Sequence, residues 1–402
     1  MDKGQKNRTG FFYEGSTRMI YNEFQNEQLS MLGFGCMRLP LNADKSVDVE
    51  QVREMTRYAF DHGINYFDTA YPYHGGKSEL IMGEILKDYP RDSFNLASKY
   101  PGHQIASEYH PDEVFEEQLK KCRVDYFDYY LLHNVNEHSI EVYEDGKWGI
   151  LPYFAEQRKN GRIRHLGFST HARPETIRAF LDYCKEIGVE MEFCQIQLNY
   201  VDWTLQYANE KVDILNEYGV GIWVMEPIRG GALSDDCRSA FRFLQDIPGI
   251  KVVLSGMSNL KQMQENIETF DVRDPLTEEE RAALLEKAER LKNAVPCTRC
   301  RYCTDGCPMQ LDIPVLIAGY NDAKFGGMVA FHQLDALPED KLPSACIGCG
   351  ACAAICPQNI DIPAVLADFA DLYDKSEKWA DICKRREEEA RRMKEEKKAQ
   401  EG

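Results

Sequence analysis

The sequence predicts an α/β protein: a closed (β/α)8 TIM barrel followed by a small, mostly helical domain. Three observations predict it. Between residues 29 and 270, eight short apolar runs are each followed by a longer amphipathic stretch. That alternation implies a parallel sheet, because parallel strands need a crossover, usually a helix, between them. Eight units of this kind suit closure into a barrel. Past residue 274 the texture changes to helix-forming stretches and two cysteine clusters. A doubly wound open sheet is the alternative for the first part, since periodicity does not distinguish closure from openness. Against it, GFGCMR at 33–38 lacks the last glycine of a G-x-G-x-x-G dinucleotide fingerprint.

In order, the apolar runs are 30–37, 64–70, 94–100, 127–133, 163–169, 192–198, 220–226 and 251–257. DVEQVREMTRYAFDHG places Val52, Met55, Tyr58 and Ala59 on one helical face. HPDEVFEEQLKKC carries Asp112 near its start and lysines at its end, as a helix dipole favours. DPLTEEERAALLEKAERLKN reads as a helix capped by Thr277 with a glutamate three residues on. In the second domain CPMQLDIPVLIAGY (307–320) is repeated as CPQNIDIPAVLADF (356–369). Each D-I-P opens a helix, where proline is tolerated in the first turn. The expected domains are 1–292, the barrel; 293–380, the helical cysteine domain; and 381–402, a charged helical tail. In that tail Glu387/Arg391 and Glu388/Arg392 stand at i,i+4 spacing.

Composition bounds the function. The chain has 402 residues, 43% hydrophobic and 28% charged, with net charge −18. A polyanion such as nucleic acid is repelled by that charge, and the basic residues of the tail are balanced by glutamates. No apolar run approaches the ~20 residues of a membrane helix, and the polar start MDKGQKNRTGFFYEG lacks a secretory h-region. The expectation is a cytoplasmic protein with no nucleic-acid or membrane partner.

Of fourteen cysteines, eight fall in two C-x2-C-x2-C-x3-C-P motifs, CTRCRYCTDGCP (297–308) and CIGCGACAAICP (346–357). Short spacings let three thiolates wrap one face of a 4Fe–4S cluster, and the fourth cysteine is carried to the other cluster. Crossed ligation is expected: Cys297, Cys300, Cys303 and Cys356 around one cluster; Cys346, Cys349, Cys352 and Cys307 around the other. The alternative is a pair of zinc sites, but zinc is seldom gripped by so tight a run.

Four polar residues stand at predicted strand ends or just beyond: Asp68, Tyr73, Lys99 and His133. In a closed barrel adjacent strand ends converge on one mouth. A buried lysine needs a counter-charge, which Asp68 supplies. An ammonium beside a phenol is expected to lower the tyrosine pKa and make it a usable proton donor to a carbonyl oxygen. His133 is expected to orient that carbonyl. Each residue taken singly reads more simply, as a loop cap, a packing aromatic, a surface charge and a core histidine; their joint order favours chemistry. Glu226 and Arg229, flanking Pro227, read as an ion pair bracing their loop.

Residues 17–292 resemble the aldo/keto reductase family. The carrying stretches are LGFGCMRLP (32–40), FDTAYPY (67–73), SK (98–99), LLH (131–133), GRIRHLGFST (161–170), QIQLNY (195–200), EP with a following GG (226–231) and LSGMSNLKQMQEN (254–266). The resemblance implies a catalytic tetrad of Asp68, Tyr73, Lys99 and His133, with tyrosine as the acid. It implies NAD(H) or NADP(H) bound at the barrel mouth. Ser169 and Gln195 match the nicotinamide-carboxamide contacts. Met225 stands where many members stack a tyrosine on that ring, and Thr170 where many carry asparagine. Gly230, Gly231, Ser255, Gly256, Gln262 and Asn266 fall in the loops matching the pyrophosphate and adenosine contacts. Gln262 replaces the arginine of NADP-preferring members. The cysteine domain is similar to two-cluster bacterial-type ferredoxins with a long helical insertion.

Hydride transfer moves two electrons together and a 4Fe–4S cluster moves one, so a flavin usually bridges them; no flavin fingerprint is visible. Three readings follow. The first is a nicotinamide-dependent reductase of small carbonyl substrates whose clusters are structural or serve an electron-carrier protein. The second is a ferredoxin-linked reductase or electron-transfer subunit. The third is a non-catalytic, nucleotide-binding redox sensor.

Overall fold

The computed structural model describes residues 19–104, 106–290, 294–324, 334–335 and 337–376. The tail 381–402 and its i,i+4 pairs lie outside the described residues. The chain divides after Leu291 into two compact units.

In the first unit a hairpin, β1 (Tyr21–Phe24) and β2 (Glu27–Ser30), precedes eight strands. These are β3 (Leu32–Gly35), β4 (Tyr66–Asp68), β5 (Asn95–Tyr100), β6 (Phe127–Leu132), β7 (Ile163–Thr170), β8 (Phe193–Gln197), β9 (Gly221–Met225) and β10 (Ile250–Gly256). One strand falls in each of the eight apolar runs. All pair in parallel and close as β10-β3-β4-β5-β6-β7-β8-β9. The barrel is closed, not open.

Period-two alternation sorts the side chains. Tyr66, Ala97, Tyr129, Leu131, Phe193, Trp223, Val252 and Leu254 fill the interior, joined by Phe24 and Leu29 of the hairpin. The ring of Phe24 meets that of Trp223 edge-on at 5.0 Å. The hairpin was not foreseen, because its two four-residue strands carry no run long enough to read. The other strand face packs outward against the helices, where Val52, Met55, Ala59, Phe115 and Leu119 join the larger core.

Three helices matter for the site and its support: α1 (Val49–Asp61), α2 (Ser78–Leu86) and α3 (Pro111–Cys122). Asp48 caps α1 by accepting from the Gln51 amide. The expected capping box is present ahead of the helix Glu278–Arg290. Thr277 N–H donates to Glu280 Oε2 at 2.8 Å, and Glu280 N–H to Thr277 Oγ1 at 3.2 Å. Among the described residues no helix is long and apolar enough to cross a membrane.

In the second unit each cysteine motif contributes a one-turn helix, Tyr302–Asp305 and Ala351–Ala354. A longer helix follows each D-I-P, Ile313–Lys324 and Ile362–Lys375. Leu311, Ile313, Leu316, Ile317, Ile360, Ile362, Leu366 and Phe369 form its core. The repeat extends to the backbone. Left-handed φ recurs at Arg299 and Gly348, at Arg301 and Gly350, and at Gln310 and Asn359.

Candidate functional site

The interior face of the strands turns from apolar to polar toward the C-terminal rim. Two residues beyond Tyr66 comes Asp68; beyond Ala97, Lys99; beyond Leu131, His133; beyond Phe193, Gln195. The period that fills the core thus also aims these polar groups inward. Lys99 is fully buried and Asp68 is 2% exposed. Lys99 Nζ donates to Asp68 Oδ1 at 2.5 Å, to Thr69 O at 2.8 Å and to Tyr73 Oη at 3.4 Å. The Tyr73 and His133 rings meet edge-on with centroids 5.9 Å apart. The four residues expected to converge are together.

One electrostatic expectation is overturned. Tyr73 sits well above its ordinary pKa, pushed up by burial and then by the charge of Asp68. The Lys99 ammonium is already neutralised by Asp68, so little net positive charge is left to favour a phenolate. Asp68 is itself raised by burial, with Lys99 opposing. Tyr73 is therefore a protonated phenol at neutral pH, the form a proton donor needs.

His133 is held well below its ordinary pKa by burial, then by His103, Lys99 and His171. It is neutral, and its Nδ1 is buried with no hydrogen-bond partner. The His103 ring lies edge-on to it at 4.4 Å. Tyr143 Oη donates to the His133 carbonyl at 2.6 Å. Gly102 allows this clamp, since a Cβ there would meet the Tyr143 ring at 2.6 Å. His171 Nδ1 lies 2.9 Å from Gln197 Oε1. The Gln197 amide nitrogen donates to Asp202 Oδ2 at 2.7 Å, so its oxygen faces His171 and Nδ1 carries the proton. Sequence reasoning missed His103, His171 and Asn134, because lone polar residues in loops carry no periodic signal.

Ser169 and Gln195 are register neighbours on β7 and β8. Ser169 Oγ accepts the Asn134 N–H at 2.8 Å. Gln195 Oε1 and Asn134 Oδ1 are buried acceptors with no partner. Such atoms fit a ligand that brings N–H groups, as a carboxamide does. Met225 ends β9, and Gly230 and Gly231 follow with φ of +63° and +96°. The structure pairs Arg229 with Asp202, Nε to Oδ1 at 3.3 Å, an approach between separate loops that is invisible in sequence. Asn266 Nδ2 donates to Ser255 Oγ at 3.0 Å, close to Gly256 at the end of β10. Gln262 Oε1 turns back to accept the Ser258 N–H at 2.8 Å. His74, in the loop after Tyr73, accepts the Leu39 N–H on Nε2 at 3.2 Å, which ties that loop to the turn after β3.

The eight motif cysteines gather around two cavities. One is lined by Cys297, Cys300, Cys303 and Cys356. The other is lined by Cys307, Cys346, Cys349 and Cys352. Each holds three thiols of one motif and the fourth of the other. The Cys303 thiol is pushed up to about 12 by burial, then by Cys297 and Cys356, as expected of thiols crowded around one space. None of these cysteines is in a disulfide. No three His, Cys, Asp or Glu among the described residues converge as they would on a single ion. Sulfurs disposed around a volume suit a polynuclear group better than zinc.

Residues 296–360 match the 4Fe-4S dicluster domain family, and residues 31–240 match the Aldo/keto reductase family. The chain is 30% identical over 218 residues to the probable aldo-keto reductase 1 of Glycine max, spanning 52% of this chain and 58% of that one. It is 24% identical over 208 residues to the NADH-specific methylglyoxal reductase of Escherichia coli, spanning 48% and 59%. These two matches therefore span little more than half of each relative's length. Against the uncharacterized oxidoreductase YqkF of Bacillus subtilis, 24% identity extends over 64% of this chain and 92% of that one. In fold, the barrel resembles the aldo-keto reductase AKR11C1 from Bacillus halodurans in its holo form. There the TM-score is 0.54 at 23% identity, covering 67% of this chain and 96% of that one. The aldo/keto reductase match takes in more than half of the sequence, and the closed eight-stranded barrel agrees with it. The chain belongs to the aldo/keto reductase family of oxidoreductases, with a 4Fe–4S dicluster domain following the barrel in sequence.

Proposed function

We propose that the barrel moves hydride between a nicotinamide cofactor and the carbonyl or alcohol carbon of a small substrate. The observation that carries this reading is the set of contacts centred on Lys99, which joins Asp68, Thr69 and Tyr73 in one buried cluster. When bound, NAD(H) or NADP(H) supplies or accepts the hydride. Ser169, Gln195 and Asn134 would hold its carboxamide, with Met225 against the ring. Gly230 and Gly231 after β9, Ser255 and Gly256 at the end of β10, and Gln262 and Asn266 in the helix Leu260–Phe270 would carry the phosphates and adenosine. A relative whose name states NADH-specific reduction of methylglyoxal supports this cofactor and substrate class.

Tyr73 holds the proton that the substrate oxygen takes. Burial keeps that proton in place until a stronger base, the developing alkoxide, arrives. The Lys99 ammonium, 3.4 Å away, then stabilises the phenolate left behind. Asp68 fixes the ammonium, and neutral His133 is left to orient the carbonyl through a hydrogen bond rather than to supply the proton. In the second unit Cys297, Cys300, Cys303 and Cys356 would ligate one 4Fe–4S cluster and Cys346, Cys349, Cys352 and Cys307 the other. The test is nicotinamide oxidation against a panel of small aldehydes and ketones. Tyr73→Phe is expected to lose 100-fold or more in kcat, on the order of general-acid contributions, with the circular dichroism spectrum unchanged. Normal turnover by that variant would remove Tyr73 as the acid.

A second reading, substrate reduction with electrons from a carrier protein, is favoured by the nearness of the cages. Cys303 and Cys356 of the first cage and Cys352 of the second pack in one apolar core, so the two cages are neighbours. Substrate reduction by a reduced ferredoxin without nicotinamide would establish it.

A further inference from the structure

The two cysteine motifs share one backbone but differ at every matched position between their cysteines, and three of these differences bear on the cages. In the first motif these are Thr298, Arg299 and Arg301; in the second, Ile347, Gly348 and Gly350. Two of the pairs are left-handed in both motifs, Arg299 at φ +56° against Gly348 at +69°, and Arg301 at +68° against Gly350 at +77°. Glycine adopts this conformation freely, whereas a residue with a Cβ is strained in it. The second motif uses the residue that the backbone prefers. The first carries two arginines against that preference, and retained strain of this kind marks functional positions. Thr298 is 1% exposed, lines the first cavity, and its Oγ1 has no hydrogen-bond partner. Its counterpart Ile347 has no donor and is 63% exposed.

We propose that these three residues make the first cage the electron-accepting one of the pair. This inference rests on the reading that both cages hold 4Fe–4S clusters. One-electron reduction makes a cluster more negative without making or breaking a bond, so nearby positive charge and hydrogen bonds to its sulfurs raise its potential. The buried Thr298 hydroxyl supplies a donor at the first cavity. Arg301 lines the same cavity, and Arg299 flanks Cys300 in sequence. The Asp312 carboxylate receives Arg301 Nη2 at 3.0 Å and offsets part of its charge. The residues of the second motif, CIGCGACAAICP, include no charge at all. One feature opposes the order: Cys349 is exposed, and water there also stabilises added charge. It acts at one ligand through mobile dipoles, whereas the first cage has a fixed hydroxyl and two arginines, one of them partly offset by Asp312. An electron given to the pair by an external one-electron donor therefore settles on the cluster held by Cys297, Cys300, Cys303 and Cys356.

The experiment is a potentiometric titration of the anaerobically purified holoprotein with dithionite, followed by electron paramagnetic resonance. Iron and sulfide contents are measured on the same sample. Two one-electron couples are expected, with the upper favoured at least tenfold, a separation of 59 mV or more for one electron. Thr298→Val, Arg299→Gly and Arg301→Gly should each lower the upper couple and leave the lower one in place. Ile347→Thr should raise the lower couple. The Arg→Gly changes relieve backbone strain, so failure to fold is not expected to obscure them. Protein without iron would overturn the cluster reading and this proposal together. Two clusters of equal potential, or substitutions at 298, 299 and 301 that move the lower couple, would overturn the proposal alone.

Discussion

A single ammonium organises the barrel's rim. Lys99 has its charge answered by Asp68 and its remaining hydrogen bonds taken by Thr69 O and Tyr73 Oη. Removing it strands a buried carboxylate. Lys99→Met should destabilise the barrel by about 3–5 kcal/mol in urea unfolding. The double variant Lys99→Met/Asp68→Asn should recover part of that loss while remaining inactive. If the single variant unfolds like the parent, the pair is not the buried contact described. The histidines set a pH limb. Burial pushes His103 and His171 down to about 4 from 6.5. The unfolded chain then binds their protons more readily than the folded one. Stability is full above pH 6.5 and falls as pH drops toward 4, on the order of 3 kcal/mol for each group. Denaturant midpoints measured from pH 7.5 to 4 check this, and His171→Asn should flatten the slope. In the sequence, Asp68, Tyr73, Lys99 and His133 were legible because they follow apolar runs in order. His103, His171 and Asn134 were not, because their proximity arises only when three loops meet.

Among elements, glycine positions decide how closely helices pack. A Cβ on Gly83 of α2 would meet the Lys121 carbonyl oxygen of α3 at 2.3 Å. Backbone cannot yield as a side chain does, so Gly83→Ala should cost about 1–3 kcal/mol, read as a lowered unfolding midpoint; no change would mean that α2 and α3 can slide apart. The cysteine motifs show the same logic in the sequence–structure comparison. Their repetition, the crossed pairing and the helices opened by D-I-P were all visible in spacing, because the repeat copies residues and backbone together. The β1–β2 hairpin was not, since two short strands acquire meaning only from the barrel floor that Phe24 and Leu29 fill.

At the scale of the molecule, the two units differ in what holds them. The barrel has a closed sheet and a double-layered core. The second unit has a small core that includes cysteines of both motifs, Cys303, Cys352 and Cys356. Small domains of this kind draw much of their folding energy from the bound group. Stripping iron with a chelator should melt the C-terminal helices, while the barrel keeps its own thermal transition and the nicotinamide-dependent turnover proposed for it; a second unit unchanged without iron would contradict this. Residue order alone was enough for the strand–helix alternation, the strand-end quartet and the two thiol cages, because period and spacing are local properties. Three-dimensional closure settled the rest: which carboxylate meets Arg229, which hydroxyl is left without a partner, and which way burial drives the Tyr73 proton. Those outcomes depend on distances between segments far apart in the chain, and no local pattern encodes such distances.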